Sequence, residues 1–245
     1  MTHTSADNLF SRHHLLPEIG RDGQAVLLRS HVVVVGVGAV GSRIAELLCR
    51  AGVGRLTLID RDIVEFSNLP RQTLYTWLDA EQAIPKVEAA RRQLNCIIPT
   101  CQVYPQVVEL SEDNVDSLLA GADAVADGTD NIETRYIIDD WCTGNGIPWV
   151  YAGAVGMKAS VFPVLGKDKC LRSAFPDPPP VDSLPTATQA GVFAATTAIA
   201  ASRASTLILR ILLGDPPDSV WETWDVWNGT ISRLSLDDLK KAREG

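Results

Sequence analysis

The chain has 245 residues, room for one large α/β domain or two small ones and for a sizeable core. Hydrophobic residues make up 46% and charged residues 21%, the balance of a soluble globular protein rather than of a disordered chain. A formal net charge of −8 argues against a nucleic-acid partner, and 5 scattered cysteines without a C-x-x-C pair indicate neither a disulfide framework nor a zinc ribbon.

The N-terminus lacks the basic-then-apolar order of a secretory leader, so a cytoplasmic location is expected. Residues 8–29 read as helical with Gly20 and Gly23 as breaks, and 1–30 form an arm ahead of a core over 31–165. The β-branched run 32–35 predicts a fully buried parallel strand, and 40–51 the helix that follows it. "RLTLID" over 55–60 is a second strand ending on an acid, and a helix begins near Pro85. Residues 101–110 read as a strand, and 111–122 as a helix opened by a Ser-x-x-Asn cap. "DAVADGTDN" (123–131) is a strand running into a loop, 135–146 a helix, and 148–156 and 158–166 two more strands. This alternation predicts an α/β, Rossmann-like doubly wound, mostly parallel sheet in a single domain over 1–245.

Residues 166–190, rich in proline and polar side chains, break the rhythm as a long crossover loop. The apolar stretch 190–214 carries Arg203 and Arg210 and reads as a helix buried against the sheet or in an interface, with no membrane span. The C-terminal part, 191–245, adds a hairpin turning at Asn228-Gly229.

Gly36, Gly38 and Gly41 stand at G-x-G-x-x-G spacing between a strand and a helix. The first permits the tight turn, the second lets a phosphate approach the backbone, and the third allows close helix–strand packing. Asp60 closes the next strand about 20 residues on, where a carboxylate accepts hydrogen bonds from ribose hydroxyls. NAD and ATP are equally well served to this point. Asn68 and Arg71 follow the second strand, and Lys86 opens the next helix. A triphosphate and its leaving pyrophosphate need such cations, whereas a dehydrogenase has little use for them. Asp127 and Asp130 then lie at the carboxyl end of a predicted strand, where a carboxylate beside phosphates is a natural Mg²⁺ ligand.

With these motifs the chain resembles the ThiF/MoeB/HesA family, bacterial relatives of ubiquitin-activating enzymes. The likeness runs from "SRHHLLPEIGRDGQ" to the C-terminal hairpin, and its most specific marks are "VVGVGAVGS", "LIDRDIVEFSNLPRQTL", "PKVEAA" and "DGTDNIETR". The resemblance implies adenylation by ATP of the C-terminal glycine of a small ubiquitin-like (β-grasp) sulfur carrier ending in Gly-Gly, with release of pyrophosphate. It assigns Asp60 to the ribose, and Gly36, Gly38, Ala39 and Gly41 to the nucleotide turn. Ser67, Asn68 and Arg71 would line the phosphates under Lys86, while Asp130 would bind Mg²⁺ beside Asn131. It also implies a homodimer in which Arg12 reaches the partner's phosphates.

The chain departs from the family in two places. Of the cysteine pairs that hold a structural zinc in many relatives, only Cys170 remains, with Ser173 at the second position, so no zinc is expected. Ala187 stands where relatives that form a thioester or persulfide carry a cysteine. Adenylation of a small molecule or a tRNA base is the neighbouring alternative. A non-catalytic β-grasp-binding scaffold and an NAD oxidoreductase are the more distant ones.

Overall fold

The computed structural model describes residues 9–178 and 187–244. Eight strands make one sheet: β1 (His31–Val35), β2 (Arg55–Ile59), β3 (Gln102–Gln106), β4 (Ala124–Asp127), β5 (Trp149–Val155), β6 (Lys158–Val164), β7 (Val220–Asp225) and β8 (Thr230–Ser235). Their order is β3-β2-β1-β4-β5-β6-β7-β8. The first five are parallel, and β6, β7 and β8 continue antiparallel. Strand order reverses between β1 and β4, the crevice where open α/β sheets bind ligands.

The helices are α1 (Gly20–Leu27), α2 (Gly41–Ala51), α3 (Trp77–Glu81), α4 (Lys86–Ile97), α5 (Val115–Leu119), α6 (Ile132–Asn145), α7 (Leu171–Ala174), α8 (Ala187–Ala190), α9 (Ala194–Leu212) and α10 (Leu236–Glu244). The valine run of β1 is buried throughout because helices cover both faces. Val32 and Val34 point into a core closed by Ile44 and Leu48 of α2, Leu94 of α4 and Ala204 and Ile208 of α9. Val33 and Val35 point the other way, against Leu119 of α5, Ile138 of α6 and Leu171 of α7.

α9 lies on β5, β6 and α2, so the apolar stretch 190–214 is covered by its own sheet. No helix among the described residues is long and apolar enough to cross a membrane.

Several expected boundaries move, each for a local reason. Gly20, at φ +59°, does interrupt the arm, but Gly23 lies inside α1, where a Cβ would come within 3.0 Å of Leu213. At 111–122 the expected Ser-x-x-Asn pairing forms, the Asn114 side chain accepting the Ser111 N–H, but the regular helix covers only α5. α6 begins three residues before its expected start, capped by Asn131. The strand expected over 101–110 ends at Gln106, and its Pro105 is tolerated on an edge strand.

The crossover segment is not structureless: it holds a 3₁₀ turn, Lys167–Lys169, then α7 and α8. Its residues 179–186 lie outside the described residues, as do residues 1–8 of the arm. The hairpin turns over four residues, 226–229, with Asp225 paired to Thr230 and its carboxylate accepting from the Asn228 N–H and side chain.

Candidate functional site

Three glycines build the turn after β1. Gly36 adopts φ +76°, and a Cβ there would lie 2.9 Å from the Thr129 nitrogen. A Cβ on Gly41 would lie 1.8 Å from the Gly36 carbonyl oxygen, and one on Gly128 would lie 2.5 Å from the Gly41 Cα. The turn is thereby pressed against the loop after β4. Gly38 is different, since a Cβ on it would meet only the Gln72 side-chain nitrogen, at 3.9 Å. No steric demand of the protein itself excludes a side chain there. The open backbone at Gly38 therefore suits an approaching ligand, at the N-terminal end of α2, where the helix dipole favours an anion.

Residues from β2 and the strap behind it brace this turn. The Asp60 carboxylate accepts the Val37 N–H and the Asp62 N–H, both at 2.8 Å. Burial pushes its pKa upward from the ordinary value, against the nearby Lys86 charge and those two amides. The Tyr75 hydroxyl donates to the Val37 carbonyl. Lys86 is buried, and its Nζ pairs with the exposed Asp62 carboxylate at 2.7 Å. Asp62 also accepts the Lys86 backbone N–H, so the acid after β2 and the first residue of α4 are tied together twice.

Ser67 and Asn68 lie on a 3₁₀ turn, Phe66–Asn68. Asn68 is buried, and its side chain accepts the Glu65 N–H, so it shapes the turn rather than facing outward. Arg71 is half-buried and folds back on the Ser67 carbonyl, 2.7 Å from Nη1.

The loop after β4 separates two carboxylates that the sequence left equivalent. Asp127 is fully buried and accepts the Arg135 Nε–H at 2.9 Å and both the N–H and the hydroxyl of Thr129. Burial pushes its pKa upward, against the Arg135 guanidinium and the two Thr129 donors. It is a structural anchor, enclosed and engaged on both oxygens, and not an exposed ligand for a metal. Arg135 completes the clamp by donating to the Thr129 carbonyl and the Tyr151 hydroxyl. Asp130, on the same loop, is exposed and makes no hydrogen bond among the described residues. Asn131 is committed to capping α6, its side chain 3.2 Å from the Thr134 N–H.

Thus Gly36, Gly38, Ala39, Gly41, Asp60, Lys86 and the Asp130 loop come together at the carboxyl ends of β1, β2 and β4. The segment Ser67–Arg71 joins them through Gln72 and Tyr75. Arg12 does not. It is exposed, between Phe10, which packs on Gly52 at the C-terminal end of α2, and His13, whose ring bonds Gln24. The glycine turn lies at the other end of α2, about 16 Å away for 11 residues.

Cys170 is buried, and Ser173 donates to its carbonyl oxygen. No group of three or more His, Cys, Asp or Glu able to hold a metal occurs among the described residues. Four participants were missed in the sequence: Asp62, Gln72, Tyr75 and Gly128. Only Gly128 carried a readable signal, a glycine directly after a strand that ends on an acid.

Comparison with known proteins gives the family. The chain is 35% identical over 236 residues to the sulfur carrier protein ThiS adenylyltransferase of Bacillus subtilis, covering 94% of this chain and 68% of that protein. It is 37% identical over 212 residues to the sulfur carrier protein adenylyltransferase of Thermus thermophilus, covering 84% of this chain and 77% of that one. A crystal structure of E. coli MccB with ATP superposes with a TM-score of 0.77 at 18% identity, over 91% of this chain and 73% of that one, a likeness of fold. Residues 10–243 match the ThiF family, and the chain belongs to it.

Proposed function

We propose that this protein is an adenylyltransferase that uses ATP to activate the C-terminal glycine of a ubiquitin-like sulfur-carrier protein. The observation that carries the reading is the glycine turn, where a Cβ added to the middle glycine, Gly38, would meet only the Gln72 side-chain nitrogen, at 3.9 Å, together with the buried ammonium of Lys86. Two relatives above a third identical are named for the same activity.

The chemistry asks little of general acid–base groups. The carrier's carboxylate is already ionised and attacks the α-phosphorus, the bond to the β-phosphate oxygen breaks, and pyrophosphate leaves as acyl-adenylate forms. Catalysis is then in-line positioning and charge stabilisation on the phosphates. Asp60, with one oxygen on the Val37 N–H, fixes the turn and faces the ribose with its remaining acceptor capacity. Lys86 and Arg71 supply cations that are held by Asp62 and the Ser67 carbonyl until phosphate oxygens replace those partners.

Asp130 fits a Mg²⁺ ligand: a hard oxygen donor, exposed and free of hydrogen bonds, of the kind that holds this ion together with substrate phosphates. Bound there, Mg²⁺ would neutralise charge on the triphosphate. We further propose that the active form is a homodimer, that the chain works without zinc, and that it acts in the cytoplasm.

Pyrophosphate exchange into ATP in the presence of a β-grasp carrier ending in Gly-Gly tests the reading directly. Exchange is expected with that carrier and not with one lacking the terminal glycine. Calorimetry is expected to show Mg-ATP binding and none of NAD(H). Tight NAD binding without ATP binding would overturn the proposal.

A further inference from the structure

Gln72 follows Arg71 on the strap behind the glycine turn, its backbone N–H on the Asn68 carbonyl at 2.9 Å. Its side chain is 4% exposed, and its Oε1 is buried with no hydrogen-bond partner among the described residues. Buried polar atoms are rarely left so, because the lost hydration is not regained. A methionine would fill nearly the same volume without that cost. Tyr75, three residues on, is also buried against this turn, but its hydroxyl is satisfied by the Val37 carbonyl. Bracing the turn is therefore Tyr75's task and does not explain an amide at position 72. The nitrogen end of that amide makes no hydrogen bond among the described residues either. It is the atom that a side chain on Gly38 would touch, at 3.9 Å, so it lies beside the one glycine of this turn that the protein leaves open.

We propose that Gln72 is a binding residue of the nucleotide site, its Nε2–H donating to a phosphate oxygen laid over Gly38. This rests on reading the site as an ATP site. The orphaned oxygen is the cost of placing a neutral donor beside the turn. A lysine there would bury an unpaired charge, and an apolar residue would offer the phosphate nothing. An anionic oxygen over Gly38 could also come from the carrier's terminal carboxylate. The phosphate is favoured because the first turn of α2 and the cations of Arg71 and Lys86 converge on the same end of the sheet.

Gln72→Met and Gln72→Glu, measured by calorimetry with Mg-ATP and no carrier and by thermal melting, test this. Gln72→Met is expected to melt at the wild-type temperature or above it, because an unsatisfied polar atom has gone, while ATP binds about ten- to a hundredfold more weakly. Gln72→Glu, which sets a carboxylate against the phosphate, is expected to bind more weakly still. Should Gln72→Met fail to fold, the near-isosteric Gln72→Glu decides alone.

Unchanged ATP affinity in the folded variants would overturn the proposal, whether or not the melting temperature falls. A raised KM for the carrier with ATP affinity intact would overturn it equally, in favour of the carboxylate. Wild-type protein that binds no Mg-ATP would refute the ATP-site reading instead, so the two failures are distinguishable.

Discussion

Asp127 and Asp130 stand three residues apart on one loop and have opposite environments, and burial alone separates their tasks. Asp127 is enclosed by Arg135 and Thr129, so it holds the loop's shape. Asp130 is exposed and uncommitted, so it can meet a cation without giving up an internal bond. Asp130→Ala is accordingly expected to leave the melting temperature unchanged and to remove most adenylation. Loss of one preorganised contact to the transition state costs roughly 3–4 kcal/mol, about a hundred- to a thousandfold in rate. Wild-type pyrophosphate exchange by the folded variant would show that Asp130 holds nothing. Neither this contrast nor the orphaned amide of Gln72 is visible in the sequence, since a one-letter code gives an acid or an amide but not its partners. The three glycines were legible because each answers a backbone demand that recurs wherever a strand turns tightly into a helix.

Elements were legible where an apolar period was long and obscure where a cap alone marked them. The valines of β1 and the apolar stripe of α2 announce themselves, and the parallel direction of the first strands follows from their alternation with helices. α3 and α10 do not, being short and polar, yet both carry capping boxes: Thr76 with Asp79, and Ser235 with Asp238. Serine or threonine three residues before an acid was the available signal. The corner at α7 is held by a longer-range version of the same device. Asp139, buried on α6, accepts the Leu171 and Arg172 N–H groups at 3.0 Å and the Trp149 indole at 3.1 Å. Two of those donors lie in the segment where Cys170 is the sole remaining member of a cysteine pair, and the Asp139 carboxylate satisfies them. Asp139→Ala would leave buried donors unpaired and is expected to destabilise the chain by roughly 3–5 kcal/mol, measured by urea unfolding. Chelation by EDTA is expected to leave the wild-type melting temperature unchanged. A fall in that temperature, together with one zinc per chain by elemental analysis, would show that a metal rather than Asp139 secures the corner.

At the scale of the whole molecule, the sheet has two ends with different work. Its carboxyl end collects the glycine turn, Asp60, Lys86 and the Asp130 loop, while the arm is fastened to the opposite end. There Phe10 packs on Gly52, and Gln24 links the His13 ring to the Ala51 carbonyl. Arg12 is thus held at the end of the sheet opposite the glycine turn of its own chain, and the role proposed for it at phosphates would place it against a neighbouring one. The apolar stretch 190–214 offers no help in arguing for that neighbour, because α9 is covered by β5 and β6. The case for a two-fold homodimer rests on the placement of Arg12 alone, and it is open to a direct test. Arg12→Ala and Lys86→Ala chains are each expected to be inactive by themselves. Mixed equally and allowed to exchange, about half of the dimers would be heterodimers, each with both defects in one site and neither in the other. Activity is then expected to recover to about a quarter of wild type. No recovery, with subunit exchange demonstrated by a tagged chain, would mean that Arg12 takes no part in a partner's site.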